Sequence, residues 1–336
     1  MKSITRLLAL LLALALIGCG GTTAVQNSSG PSESTSQDDG ADLLPIAGID
    51  AETYPYIDGS VACHPLLARI YEEICGISTD EAETLVPFNL SGTLMVWTKM
   101  LGGTSYMSTA PDLLIAYEPP EYVKESRAEK LANFEIDPIG RDALVFLVNA
   151  DNPVDNLTTQ QLYDIYAGKI TDWSEVGGGA GEIQAFQRDD YSGSQALFMK
   201  LLMHGDTPIE VPTELRGNAM GWLDESVAQF DGSADALGYG LYYCIGLMST
   251  DESIKLLSID GVAPTKESIA DGTYPLTGDF YVAISADEPA DSPTRALRDW
   301  LLTDAGRQLL EKENYVWARS GMQPASAGAG NPFSEG

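Results

Sequence analysis

Residues 187–195 read "QRDDYSGSQ" and stand directly before the apolar run "ALFMKLLM". They supply one guanidinium (Arg188), two hydroxyls (Ser192 and Ser194) and a glycine between them, Gly193. A guanidinium offers a fork of donors, hydroxyls add more, and glycine lets a ligand approach the backbone. Where such a loop opens a helix, the first N–H groups lack partners and the dipole is positive, so an oxyanion can be held without lysine. Two other stretches share this chemistry. "DGS" (58–60) precedes "VACHPLLARIYEEIC", and "LSGT" (90–93) precedes "LMVWTKML". Ser-Gly and Thr-Gly loops ordinarily do no more than cap helices. Three in one chain, one of them beside an arginine, point to a shared anion site.

Alternating strand and helix patterns must position these loops. "LLIAY" (113–117), "ALVFLVN" (143–149) and "DFYVAIS" (279–285) are short runs rich in aliphatic and aromatic residues and predict strands. "LTTQQLYDIYAG" (157–168) predicts a helix, with Thr158 as cap, Gln161 in the capping-box position and Gly168 as stop. Residues 292–313 predict a further helical region with Leu297, Trp300, Leu301, Leu309 and Leu310 on its buried side. The alternation predicts an α/β fold. "VGGGAGE" (176–182) lacks the Gly-Lys-Ser/Thr ending of a phosphate loop and reads as a surface turn before the strand "IQAFQ".

Composition narrows the function classes. The chain has 336 residues, 19 Lys and Arg against 49 Asp and Glu, and a formal charge of −30. Such a chain does not bind nucleic acid through a basic face, and an anion site on it must work by local geometry against the long-range field. Lys2 and Arg6 precede the apolar run Leu7–Ile17, which ends in Gly18-Cys19. The run is too short to span a bilayer and reads as a signal peptide (1–19) whose ending resembles a lipobox. Cys19 is then the lipid attachment site, anchoring the protein to the bacterial cell membrane on its outer side. Residues 20–45, rich in Gly, Ser, Thr and acid, read as a flexible linker, and 326–336 as a flexible tail. Only His64 and His204 are present, without clustered Cys/His spacing, so no zinc site and no cofactor are expected. Cys63 and Cys75 flank one predicted helix and would lie roughly 18 Å apart along it, too far for a disulfide. With Cys244 they are expected as buried thiols.

The stretch "NADNPVDNLTTQQLYDIYAGKITDWSEVGGGAGEIQAFQRDDYSGSQ" (149–195) resembles the signature region of PstS-type phosphate-binding proteins, the solute receptors of phosphate ABC transporters. The resemblance extends to "YPYIDGSVACHPL" (54–66), to "KLLSIDGVAPTKESIADGTYPLTGDFYVAIS" (255–285) and to "AGRQLLEKENYVWA" (305–318). It implies a type II periplasmic-binding-protein fold, with ligand held between two α/β lobes joined by two crossing strands. "ALVFLVN" and "DFYVAIS" would be the crossings, lobe I would be 46–140 with 279–325, and lobe II 141–278. By the same resemblance Arg188 contacts the oxyanion and Ser192, Gly193 and Ser194 form its donor loop. Gly59 and Ser60 resemble the first loop, and Ser91 or Thr93 the second. The family's acceptor carboxylate falls on Glu118, with Asp112 as the other candidate. Glutamate stands there where aspartate is commoner, and Tyr117 replaces a neighbouring serine. A buried carboxylate would accept the proton of hydrogen phosphate and disfavour sulfate, which has none.

The resemblance implies a monomeric, non-enzymatic receptor for inorganic phosphate or a related oxyanion, delivering to an ABC transporter permease. An oxyanion-sensing module for a membrane signalling protein is the alternative. A serine-dependent, phosphatase-like enzyme built on "DDYSGS" is a third reading, set back by the shortage of bases and metal ligands.

Overall fold

The computed structural model describes residues 46–317, apart from 47–48, 51, 87–89, 103–108, 218–226, 228–232 and 249–251, together with 332–333. The leader, Cys19 and the linker to residue 45 lie outside the described residues, as does the tail 326–336 except Pro332 and Phe333.

The first strands are β1 (Ile57–Gly59) and β2 (Leu113–Tyr117), paired in parallel. β2 shows how one sheet receives helices on both faces. Leu113, Ile115 and Tyr117 join one buried cluster, while Leu114 and Ala116 join another, because successive strand side chains point to opposite faces. The first face is covered by α1 (His64–Cys75), whose Leu66, Ile70 and Ile74 recur one turn apart and are buried. A fully buried side chain of this size contributes about 1.5–3 kcal/mol. The second face is covered by α3 (Thr93–Met100), which follows the short α2 (Thr79–Leu85). Trp97 of α3 is buried and donates its indole N–H to the Tyr117 carbonyl at 2.8 Å. Phe333 also rests on this face, with ring centroids 6.0 Å from Trp97 and 5.1 Å from Tyr281. Lys124 of α4 (Glu121–Leu131) lies 5.7 Å from the Phe333 ring centre.

The central strand β3 (Phe134–Asn149) is longer than its apolar half predicts. Pro138, Gly140 and Arg141 interrupt the apolar pattern, yet the strand runs through them. Its first part, Phe134–Ala143, pairs antiparallel with β11 (Thr277–Ser285), which in turn pairs antiparallel with β2. From Leu144 onward β3 pairs with β8 (Ala236–Leu241) and, at its end, with β9 (Ile254–Leu256). β5 (Gln184–Ala185) joins β8 in parallel. The sheet order is β1-β2-β11-β3-β8-β5, with β9 also on β3. Two small parallel pairs lie apart, β4 (Asn156–Leu157) with β10 (Ser258–Ile259), and β6 (Gln187–Arg188) with β7 (Arg216–Gly217).

The remaining helices are α5 (Thr159–Tyr166), α6 (Gly193–Leu201), α7 (Lys266–Ala270), α8 (Pro293–Leu301) and α9 (Asp304–Lys312). α5 carries the expected Thr158–Gln161 capping box, and Gly168 follows at φ 73°. The helical region over 292–313 is two helices, because Thr303 accepts from the Gly306 N–H and starts a new one. No disulfide forms among Cys63, Cys75 and Cys244, as expected, but only Cys63 is fully buried and the other two are half-buried. Among the described residues no helix is long and apolar enough to cross a membrane.

Candidate anion site

The three loops meet at one cavity of about 170 Å³. Its walls include Ser60, Ser91, Gly92, Thr93, Arg188, Ser192, Gly193 and Ser194. Two helices begin there, α3 after Gly92 and α6 after Ser192, and neither receives a side-chain cap. Five other described helices are capped by hydroxyls, Ser78, Thr158, Thr265, Ser292 and Thr303 each accepting from a first-turn N–H, while α1 and α4 begin at Cys63 and Pro120, which carry no hydroxyl and give no side-chain cap. Ser192 stands in the same position on α6 and does not do so. The first N–H groups of α3 and α6 are thus left uncapped beside the cavity, where an anion would satisfy them.

The hydroxyls are paired. Ser60 Oγ and Thr93 Oγ1 lie 2.7 Å apart, and Ser60 Oγ also accepts from the Tyr117 N–H at 3.1 Å. Ser192 Oγ and Ser194 Oγ lie 2.8 Å apart. Each pair uses one proton internally and retains one to donate. Ser91 differs: its hydroxyl donates to Asp58 and receives Lys99 Nζ at 2.6 Å. Asp58 is buried and accepts from the N–H groups of Gly59 at 2.8 Å and Ser91 at 2.9 Å, with Lys99 Nζ at 3.1 Å. The Asp58–Ser91–Lys99 network therefore ties the first loop to the second, and Ser91 spends its proton on that tie.

Arg188 ends β6, is buried, and borders the cavity. Its backbone N–H donates to the hydroxyl of Tyr239 at 3.1 Å, and that hydroxyl in turn donates to Gln195 on α6. Tyr239 stacks on Phe198 with centroids 4.4 Å apart, so the arginine strand and the first turns of α6 share one rigid support. Gly193 brings the two sides together. A Cβ there would lie 2.7 Å from Thr93 Oγ1, closer than any real contact allows.

Three expected residues are absent from the walls. Gly59 is buried behind them, and its need for glycine is local: a Cβ would lie 2.3 Å from the Ile115 carbonyl oxygen on the neighbouring strand. Asp112 instead accepts from the Tyr56 N–H at 2.9 Å. Glu118 is buried, but its carboxylate receives Lys124 Nζ at 2.6 Å and, on the other oxygen, Lys200 Nζ. Strand alternation explains this placement. Tyr117 faces the cavity, so the next side chain is directed to the opposite face. The carboxylate on the wall is Asp189, whose Oδ1 accepts from the Tyr191 N–H at 3.0 Å.

Sequence reasoning missed Asp58, whose only signal was its place in "DGS", and it missed the apolar wall of the cavity. That wall is Val61, Ala62, Tyr117, Leu241, Cys244 and Ile245. The Tyr117 hydroxyl points behind it and donates to Asp142 Oδ2 at 2.7 Å. Asp142 also accepts from the N–H groups of Ala143 at 2.7 Å and Tyr243 at 3.2 Å. Complete burial pushes its carboxyl up to about 6, although these hydrogen bonds oppose the shift. Among the described residues no His/Cys/Asp/Glu cluster fit for a metal ion occurs.

Comparison with known proteins agrees with this architecture. The PBP superfamily domain matches residues 123–304. The phosphate-binding protein PstS of Bacillus subtilis is 33% identical over 149 residues, which are 44% of this chain and 45% of that protein, so the match spans less than half of this relative. PstS of Staphylococcus saprophyticus is 25% identical over 277 residues, 78% of this chain and 82% of that protein. The crystal structure of an ABC-type phosphate transport receptor from Vibrio cholerae superposes with a TM-score of 0.57 at 25% identity, covering 77% of this chain and 98% of that one. The chain belongs to the PBP superfamily and has its two-lobed type II fold.

Proposed function

We propose that this protein is an extracytoplasmic receptor that captures inorganic phosphate, or a closely related tetrahedral oxyanion, between its lobes and delivers it to an ABC transporter permease. The observation that carries the reading is the convergence of Arg188, two hydroxyl pairs and two uncapped helix starts on one cavity. The names of the relatives from Bacillus subtilis and Staphylococcus saprophyticus point the same way. In this reading Arg188 and the Ser192–Ser194 loop bind from lobe II, and Ser60 and Thr93 from lobe I. Ser91 and Gly59 shape the first two loops from behind.

Lobe I is proposed as 46–140 with 279–325 and lobe II as 141–278. The switch of β3 from β11 to β8 between Ala143 and Leu144 supports the first crossing near that point. Cys19 is proposed as the lipid anchor, residues 1–19 as its signal peptide and 20–45 as the tether. The serines of the donor loop hydrogen-bond to each other, an arrangement suited to donating to an anion rather than to nucleophilic attack. The protein is therefore read as non-enzymatic, and a monomer is proposed as the resemblance implies.

Titration calorimetry with phosphate and sulfate tests the reading. Saturable one-to-one binding of phosphate is expected, without turnover of a chromogenic phosphate ester. If neither anion binds, or if the ester is hydrolysed, the receptor reading is overturned.

A further inference from the structure

The residues that line the cavity are of two chemical kinds. Hydroxyls, helix starts and Arg188 form one; Val61, Ala62, Tyr117, Leu241, Cys244 and Ile245 form the other. Tyr117 is the instructive member. Its hydroxyl is bonded to Asp142 behind the wall, so it is the ring that meets the cavity. Ile245 is seated against the backbone of β8 at Gly240, where a Cβ would come within 2.8 Å of its Cγ1. Val61 is 40% exposed, a large apolar side chain left uncovered at the edge of a polar site.

A bare tetrahedral oxyanion is poorly served by the side chains of the second kind. Each oxygen turned toward them would lose water and gain no donor, a desolvation left unmatched. The volume of about 170 Å³ equals nearly six water shares of about 30 Å³ each, room for an oxyanion head and a few further atoms.

We propose that the preferred ligand is a phosphoryl group carrying a short apolar substituent, either an alkylphosphonate or a simple alkyl phosphate monoester. The inference rests on the oxyanion reading of the polar residues. The phosphoryl oxygens take the hydroxyls, helix starts and Arg188, while the alkyl group lies against Tyr117, Leu241 and Ile245. Each methylene buried there should tighten binding about fourfold.

Calorimetry on the full-length chain in detergent tests this, with inorganic phosphate, methylphosphonate, ethylphosphonate, ethyl phosphate and ethanesulfonate as titrants. Ethylphosphonate or ethyl phosphate is expected to bind at least tenfold tighter than inorganic phosphate, and whichever is tighter identifies the linkage. Ile245→Thr and Val61→Ser should each lower the ratio of alkyl-bearing ligand to phosphate. Val61 is partly exposed, so its variant decides the matter even if Ile245→Thr fails to fold. Phosphate binding as tightly as the ethyl compounds overturns the proposal and leaves the receptor reading standing. So does tightest binding by ethanesulfonate. An alkyl preference unmoved in the variants overturns the wall assignment. Failure of all five ligands to bind overturns the receptor reading itself.

Discussion

Lys200 of α6 reaches across to Glu118 at the end of β2 and donates to one carboxylate oxygen, while Lys124 takes the other at 2.6 Å. The acid expected to select the anion instead holds two ammonium groups on the far side of the strand from the cavity. Its contribution is to fasten α6 against β2, and so to hold one donor loop toward the others.

Glu118→Gln should accordingly leave the ratio of phosphate to sulfate affinity unchanged. Folding stability should fall by about 1–2 kcal/mol, since Lys124 keeps Glu121 as partner and Lys200 is half exposed. Urea unfolding and paired titrations with the two anions check this, and a shift in the anion ratio would return Glu118 to the site.

Arg188→Ala should weaken oxyanion binding by at least ~2 kcal/mol, about thirtyfold, the scale of losing a charge-assisted contact in a buried site. Calorimetry reads the loss. An unchanged dissociation constant places the anion elsewhere.

Gly193→Ala places a methyl group where Thr93 Oγ1 stands, 2.7 Å away. Binding should weaken by about 1–2 kcal/mol as the loops are pushed apart. Combining it with Thr93→Ala should cost less than the sum of the two, because the second change removes the atom that the first one strikes. Additive losses in this double-mutant cycle would show that the two loops do not meet in the bound state.

Asp142 imposes a pH dependence on stability. Its folded pKa is raised from 3.8 to about 6, so the folded protein holds this proton more tightly than the unfolded chain does. Stability from this group is fully present below about pH 4. It is lost as pH rises to about 6, by on the order of 3 kcal/mol in total. Other carboxylates, such as Asp172 and Asp164, are shifted down by hydrogen bonds and act in the opposite sense. The informative quantity is therefore the difference between wild type and Asp142→Asn in urea unfolding from pH 4 to 7. That difference should change steadily across the window, and a constant offset would refute the assignment.

Much of the scaffold was legible because local signals agreed with one another. "LLIAY" is β2 from end to end, and the Thr158 capping box and Gly168 bound α5 as expected. The loops of the cavity were legible because glycine beside a hydroxyl recurs before three helical runs, once next to an arginine, and seven of the eight loop residues expected in the site border the cavity. The upstream half of β3 was not, because Pro138 and Gly140 mask a strand whose pairing with β11 is supplied by residues far along the chain. Glu118 was misplaced because a motif position does not say which face a side chain takes at a strand end. The apolar wall around Leu241 and Ile245 was invisible for a related reason: "LGYGLYYCIG" has the composition of ordinary core, and only tertiary packing shows that one side of it borders a cavity.

Phe333 touches Trp97 and Tyr281 and lies beneath Lys124, the lysine that holds Glu118. A change at Phe333 therefore reaches the cavity at second hand: it frees the ammonium of Lys124, that loosens one oxygen of Glu118, and α6, whose first residues border the cavity, loses part of its hold on β2.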